Sequence, residues 1–185
     1  MSTTISESGP KGPTGAEIRW FTTHYVPAED RLRLGCLLVS GGSDVLWLTQ
    51  RLANVLVRQL LDWLDKATVA ENHAADSRIA DIQHRMAQQA ATTKPQKRPT
   101  ERVEDVPGWL VNAVQLRTPA KGIMLTFRDE GERALSIRFN ADHLRRWLGV
   151  VHAQYQKSGW PLDLWPEWIT QDADEQGAAH QGLLH

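Results

Sequence analysis

The side chains that could hold a metal ion or act as nucleophiles are few in this 185-residue chain, and their spacing suits neither task. The seven histidines form no His-Glu-x-x-His or comparable ligand pattern. His143 and His152 are nine residues apart on one predicted helix, and two and a half turns place them on opposite sides of it. The sequence therefore predicts no catalytic residues, no metal site and no cofactor.

The single cysteine and a glycine-rich segment both have structural interpretations. Cys36 falls in a predicted strand, where a cysteine behaves as a small buried hydrophobic residue, and a lone cysteine is typical of a protein of the reducing cytosol. The segment Ser40-Gly41-Gly42-Ser43 leads from one strand into another, so it predicts a hairpin turn and not a phosphate-binding loop. The sequence thus favours a non-enzymatic protein, and an enzyme whose site is not visible in the sequence stays as a third alternative.

Two stretches of the chain share the same order of predicted elements: a strand, a Pro-Ala pair, a β-hairpin and an amphipathic helix. Pro27 and Pro119 are 92 positions apart, and so are Leu52 and Leu144. This repeated order of elements, here called the echo, predicts an α+β fold of two similar βββα units, each a three-stranded antiparallel meander followed by a helix. We expect the two units to pack as one pseudo-symmetric domain. Whether the echo reflects a true duplication is left open.

Changes in composition along the chain predict six segments. Polar, Pro-rich or Gly-rich stretches at the termini and between the two units lack the apolar periodicity of a packed element. The predicted boundaries are a disordered N-terminus at 1–15, the first βββα unit at 16–66, a polar helical arm and Pro/Lys/Arg-rich linker at 67–105, the second βββα unit at 106–159, a Trp-rich strap at 160–170 and a disordered tail at 171–185.

Charge and hydropathy narrow the range of partners. A formal net charge of −1 disfavours a partner held mainly by bulk electrostatics, such as duplex DNA or an anionic membrane, although local basic patches remain compatible with it. No stretch approaches the roughly 18 apolar residues of a membrane span. With no recognisable signal peptide, the chain is expected in the cytoplasm.

The two predicted hairpins differ on their polar sides. In the second hairpin one face is apolar and the other carries Arg128 and Arg138. In the first hairpin both faces are apolar, because Leu37, Val39 and Trp47 lie opposite the leucine face. A strand that is apolar on both sides is typical of a sheet that is covered on both sides.

The first functional hypothesis is a protein-binding module: an adaptor, assembly factor or dedicated chaperone, with a homodimer as one form. Three of the eight tryptophans fall within nine residues near the C-terminus, where prolines prevent a regular helix. They either strap back over the protein's own core or anchor a partner. The candidate partner-binding residues are Leu37, Val39, Trp47, Trp160, Trp165 and Trp168. The sequence identifies neither the partner nor the process.

The alternative hypothesis is a single-stranded nucleic-acid-binding protein, which net charge disfavours. Aromatic side chains on an antiparallel sheet can stack on bases while neighbouring arginines contact phosphates. The predicted topology resembles, in architecture alone, the PUR and Whirly repeats, which pair a curved antiparallel sheet with a helix but carry a fourth strand. The candidate nucleic-acid-binding residues are Trp20, Phe21, Tyr25, Arg31, Arg33, Arg128 and Arg138.

Overall fold

Seven strands form one curled, mixed sheet, and helices cover its inner face. The computed structural model describes residues 15–72, 77–93, 99–103 and 106–170. The elements are β1 (Ala16–Val26), β2 (Arg31–Leu38), β3 (Ser43–Thr49), α1 (Gln50–Asn72), α2 (Ser77–Thr93), β4 (Trp109–Leu110), β5 (Ala113–Arg117), β6 (Ile123–Arg128), β7 (Ala134–Phe139), α3 (Ala141–Ser158) and one helical turn at 167–170, here called α4.

The strand order is β4-β3-β2-β1-β7-β6-β5. We call the antiparallel strands β1 to β3 the first meander and the antiparallel strands β5 to β7 the second meander. The meanders join through a short parallel pairing of β1 with β7, in which Ala16 and Glu17 lie opposite Leu135 and Ser136. The joint therefore covers only the first two residues of an eleven-residue strand.

The sheet curls until its two ends almost meet. The Val111 backbone N–H donates to the Trp47 carbonyl at 2.9 Å, and the Asn112 N–H donates to the Arg128 carbonyl at 2.8 Å. Consecutive residues thus bond to β3 on one side and to β6 on the other. The predicted strand over 110–118 is split by this crossing into β4 and β5.

The α+β class is confirmed, whereas the pseudo-symmetric packing of two βββα units is not. The first strand of the first meander pairs with the last strand of the second, β1 with β7, and β4 pairs in parallel with β3, the last strand of the first meander. Local patterning gave both meanders the same element order, but it did not determine which strand edges meet.

Both boundaries of α3 follow from capping. The Asn140 side chain accepts a hydrogen bond from the His143 N–H at 2.8 Å, which satisfies one orphan donor of the first turn. At the other end Gly159 adopts a left-handed conformation with φ of 71°, which costs glycine little, and Pro161 follows. These two caps set the ends of α3 at Ala141 and Ser158.

One continuous core fills the space between the inner face of the sheet and the helices. The apolar stripes of α1 and α3 pack on the alternate, inward side chains of β2, β3, β6 and β7, as the strand periodicity predicts. Residues 160–170, the Trp strap, join this core: Trp160, Trp165 and Trp168 are 6%, 6% and 4% exposed. Rings of that size contribute strongly to the hydrophobic stabilisation of the fold.

Helix α2 belongs to the folded body, because it packs along α3. His84, Gln88 and Ala91 face inward, and the Gln88 amide donates to the Arg145 carbonyl at 3.3 Å. The predicted helical arm is thus two helices, α1 and α2, of which the second lies on α3. No helix of the described ranges is long and apolar enough to cross a membrane. The predicted disordered segments at 1–14 and 171–185, and linker residues 94–98, lie outside the described residues.

Candidate functional site

A segment of the chain covers the outer face of the first meander. A Cβ atom added to Gly35 would lie 3.1 Å from Val103 Cγ1, and one added to Gly108 would lie 2.7 Å from Val45 Cγ1. Residues 99–103 and 106–108, the covering segment, therefore pass directly over β2 and β3. This cover explains why Leu37 and Val45 are buried on a face that points away from the helices.

The two meanders separate beyond their short joint, and Trp147 of α3 enters the gap. Its ring stacks on Phe139 of β7 with 5.2 Å between centroids and meets Phe21 of β1 edge-on at 5.5 Å. Its indole N–H donates to Thr23 Oγ1 at 3.1 Å. Aromatic packing and this buried hydrogen bond hold β1 and β7 apart at a fixed distance.

The resulting opening, the β1/β7 cleft, has a volume of about 620 Å³, within the range of small-ligand sites. The β1 strand, the Arg138 region of β7, the first turns of α3 and the covering segment form its walls. Of the described residues that line it, Glu101 is the acidic one, and Trp20 and Phe21 are among the aromatic ones. Its basic side chains are Arg19, His24, Arg102, Arg138, His143 and Arg146.

A second concavity of about 280 Å³, the arginine groove, lies on the outer face of the second meander. Cross-strand register places Met124 between Arg117 and Arg138 in one row, and Arg128 lies two rows along β6. Between them the Thr126 and Ser136 hydroxyls share a hydrogen bond of 3.0 Å, and Arg128 Nε donates to Gln115 Oε1 at 3.3 Å. The groove thus has a hydroxyl and amide floor with guanidinium groups at its edges.

The cleft and the groove are continuous, because Ile137 and Arg138 line both. Together they hold six arginines, Arg19, Arg102, Arg117, Arg128, Arg138 and Arg146, against two glutamates, Glu17 and Glu101. The described residues of this surface thus have a formal charge of +4, whereas the formal net charge of the whole chain is −1. A near-neutral protein therefore presents one strongly basic surface, and such a surface attracts anions.

The predicted partner-binding residues divide between covered and buried positions. Leu37 is buried beneath the covering segment, Trp47 is half-buried against Gly108, and Val39 is exposed at the hairpin turn. The three strap tryptophans pack on the protein's own core: Trp165 meets Tyr155 edge-on, and the Trp160 indole donates to Asp30 at 3.0 Å. In this conformation the strap residues do not present their rings to a partner.

Three of the predicted nucleic-acid-binding residues, Trp20, Phe21 and Arg138, come together in the β1/β7 cleft. Arg128 lies in the adjoining groove. Tyr25 is elsewhere, since its hydroxyl donates to Asp30 at 2.9 Å and its ring packs on Trp160. Arg31 and Arg33 lie on the outer side of β2, outside both concavities.

Sequence reasoning overlooked two arginines of this surface, Arg117 and Arg146. Both had a usable signal. Arg117 alternates with apolar residues in its strand, as Arg128 and Arg138 do, and Arg146 follows the polar side of α3.

The groups with altered acidity lie apart from this surface. Burial raises the pKa of the Cys36 thiol to about 12, so the thiol stays protonated and unreactive. Burial and the neighbouring Arg145 lower the pKa of His84. Because a guanidinium can only donate, Arg145 donates to His84 Nδ1 at 3.1 Å and His84 Nε2 carries the proton toward Asp65, 3.3 Å away. Both ring nitrogens of His84 are engaged in holding α2 to α1 and α3.

No group of three or more His, Cys, Asp or Glu side chains suited to a metal ion occurs in the described ranges. Comparison with known proteins found no matching family model, no similar curated protein and no similar solved structure. The architectural resemblance to PUR and Whirly repeats therefore remains a prediction, and the proposals below depend on the geometry of this chain alone.

Proposed function

We propose that this protein binds single-stranded nucleic acid along the β1/β7 cleft and the arginine groove. The proposal rests on one observation: the described residues of this continuous concave surface include six arginines against two glutamates. Backbone phosphates bind mainly through such charges, and exposed parts of Trp20 and Phe21 offer stacking surfaces within the same cleft. A narrow cleft between two strands suits an extended single strand better than a duplex.

The shape of the surface agrees with a strand running from the cleft into the groove. Arg138 stands at the junction, with the aromatic side chains on the cleft side and the hydroxyl floor on the groove side. Bases would stack in the cleft, while successive phosphates would meet Arg138, Arg117 and Arg128. Such a division between stacking and charge contacts is typical of proteins that bind single strands without base specificity.

The test is a titration of the intact protein with a fluorescently labelled oligothymidylate of about 20 nucleotides, longer than common site sizes. We expect binding at about 50 mM salt that weakens as salt rises, with a log–log slope near −0.7 for each phosphate contacted. Arg138→Ala should weaken binding about tenfold and reduce the slope by about 0.7. The control is Arg51→Ala, which removes an equal charge from an exposed position on α1 outside both concavities and should change neither value.

Two results would contradict the proposal. One is the absence of oligonucleotide binding at low salt. The other is an equal loss of affinity in Arg138→Ala and Arg51→Ala, because that would show attraction by overall charge and no defined surface. A duplex of the same length serves as competitor, and we expect it to compete less well than the single strand.

A second candidate function, binding of a partner protein, is favoured by the outward side of α2. Ile79, Ile82 and Met86 follow a helical i, i+3, i+7 spacing and are 49%, 56% and 66% exposed. An apolar stripe of this kind is typical of a surface that receives a partner helix. Analytical sedimentation of the wild type and of Ile82→Glu tests self-association. A monomeric wild type would contradict a homodimer. A variant that dimerises as the wild type does would show that this stripe is not the dimer interface.

A further inference from the structure

The covering segment forms one wall of the proposed binding surface and, among the residues that the structure describes, carries the acidic side chain that lines the β1/β7 cleft. Pro99, Glu101, Arg102 and Val103 all line the cleft. The Glu101 carboxylate forms an ion pair with the Arg19 guanidinium. One of the cleft's arginines is thus already occupied by an anion that belongs to the same chain.

Two side chains of this wall contact neighbouring strands. Val103 packs against the backbone of β2 at Gly35, and Glu101 pairs with Arg19. Both side chains of that ion pair are largely exposed, at 47% and 61%. Exposed ion pairs of this type contribute little stability and are screened by salt, so another anion can replace the carboxylate.

We infer that Glu101 is an internal competitor that occupies Arg19 until a phosphate of the bound strand replaces it. This inference rests on the proposed function. A carboxylate and a phosphate oxygen offer a guanidinium the same bidentate partner, so the exchange keeps Arg19 paired throughout. Binding of the strand frees the Glu101 carboxylate, and the covering segment then loses its ion pair with β1.

The competition limits the affinity for the strand. Each strand that contacts Arg19 must first displace Glu101, which subtracts the free energy of the ion pair from the binding free energy. The strand also passes close to a negative charge that it would otherwise not meet. Removal of the carboxylate should therefore strengthen binding, which is the reverse of the usual effect of a substitution within a binding site.

The test compares Glu101→Gln with wild type in the oligothymidylate titration, with Glu132→Gln as the matched control. Glu132 is exposed in the β6–β7 loop and lines neither concavity. Its substitution therefore removes the same charge at a site away from the proposed binding surface. We expect Glu101→Gln to bind about two- to fivefold more tightly, the range given by a surface ion pair, with nearly the same salt slope, because Arg19 contacts a phosphate in both proteins. Glu132→Gln should bind as the wild type does.

A second comparison identifies Arg19 as the group released. In the Arg19→Ala background, Glu101→Gln should no longer strengthen binding, because no ion pair remains to be displaced, whereas in the wild-type background it should. Thermal melting of each variant checks that the fold is retained.

An unchanged or weaker affinity in Glu101→Gln overturns the inference while the proposed function stands. An equal gain in Glu132→Gln also overturns it, because the effect would then be one of overall charge. Failure of every variant and of the wild type to bind overturns the proposed function and this inference together.

Discussion

The two meanders have a similar strand order, but one outer face is apolar and covered while the other is polar. On the first meander Leu37 and Val45 are buried beneath the covering segment. On the second meander the equivalent side is polar, and Arg117, Arg128 and Arg138 line a groove there. The difference teaches that apolar residues opposite the core predict an intramolecular cover, while arginines in the same place predict a surface left for an anion.

The largest expected effect tests whether the Trp strap belongs to the fold and not to a binding surface. Trp165→Ala should reduce the free energy of unfolding by about 3–5 kcal/mol, because a buried ring leaves a cavity beside Tyr155 and His152. Trp20→Ala, on a half-buried ring of the cleft, should cost far less stability and lower the affinity for oligonucleotide instead. Urea unfolding measures the stability of both variants. A small loss of unfolding free energy in Trp165→Ala would mean that the strap is not part of the core and would favour a role in partner binding.

The next effect concerns the cover of the first meander. Gly108→Ala should destabilise the protein by about 1–3 kcal/mol, because the new Cβ would lie 2.7 Å from both Val45 Cγ1 and Trp47 Cδ1. The matched control is Gly149→Ala within α3, whose Cβ would meet only the Gln88 amide at 3.5 Å. Alanine favours a helix over glycine by about 1 kcal/mol, so the control should gain stability. Equal effects in the two variants would mean that the segment is not packed on β3.

A smaller effect separates the arginines of the two faces. Arg128→Ala should weaken oligonucleotide binding about threefold to tenfold, since it removes one phosphate contact from the groove. Arg33→Ala, on the outer side of β2 and outside both concavities, should change the affinity less than twofold. If Arg33→Ala weakens oligonucleotide binding more than Arg128→Ala does, the bound strand lies on the first meander and not on the second.

The smallest effect is a dependence of stability on pH that arises on the helix side of the sheet. Because the folded state lowers the pKa of His84, it favours the neutral ring. The associated stability is present above the ordinary pKa of 6.5 and is lost as the pH falls below it. Asp65 acts in the opposite direction, since burial raises its pKa and the folded state then favours its protonated form. The charged groups around His84 are Arg145 on α3, Asp65 on α1 and Asp81 on α2.

Melting temperatures at pH 7.5 and pH 5.5 measure this effect. We expect the decrease between the two values to be smaller in His84→Gln, which cannot titrate, than in the wild type. If the melting temperature decreases equally in both proteins, groups other than His84 control the loss of stability at low pH.

Local features of the fold were predictable from the sequence, and long-range ones were not. The hairpins, the apolar stripes of α1 and α3, the Asn140 cap and the Gly159 stop all depend on residues that are near one another in the chain. The joint of β1 with β7 and the crossing at Val111 and Asn112 depend on which strand edges meet, and strand patterns do not record this. The pseudo-symmetric packing was not confirmed for the same reason.

The candidate site was predictable only in part. Trp20 and Phe21 were identified as aromatic residues of a strand, and Arg128 and Arg138 because they alternate with apolar residues. The ion pair of Arg19 with Glu101 was not predictable, since the two residues are 82 positions apart in the chain. The sequence suggested that the apolar outer face of the first meander was covered, but it did not indicate that the linker between the two meanders supplied the cover.

The parallel joint also has a consequence for biosynthesis. Strand β1 leaves the ribosome early, while its neighbour β7 is made about 120 residues later. At usual elongation rates of about 5–20 residues per second, β1 waits roughly 6–24 seconds with one edge unpaired. Exposed edges of this kind attract other nascent chains, and pairings between distant residues form slowly. The interval of greatest aggregation risk for this protein therefore falls during translation, before the second meander has been synthesised.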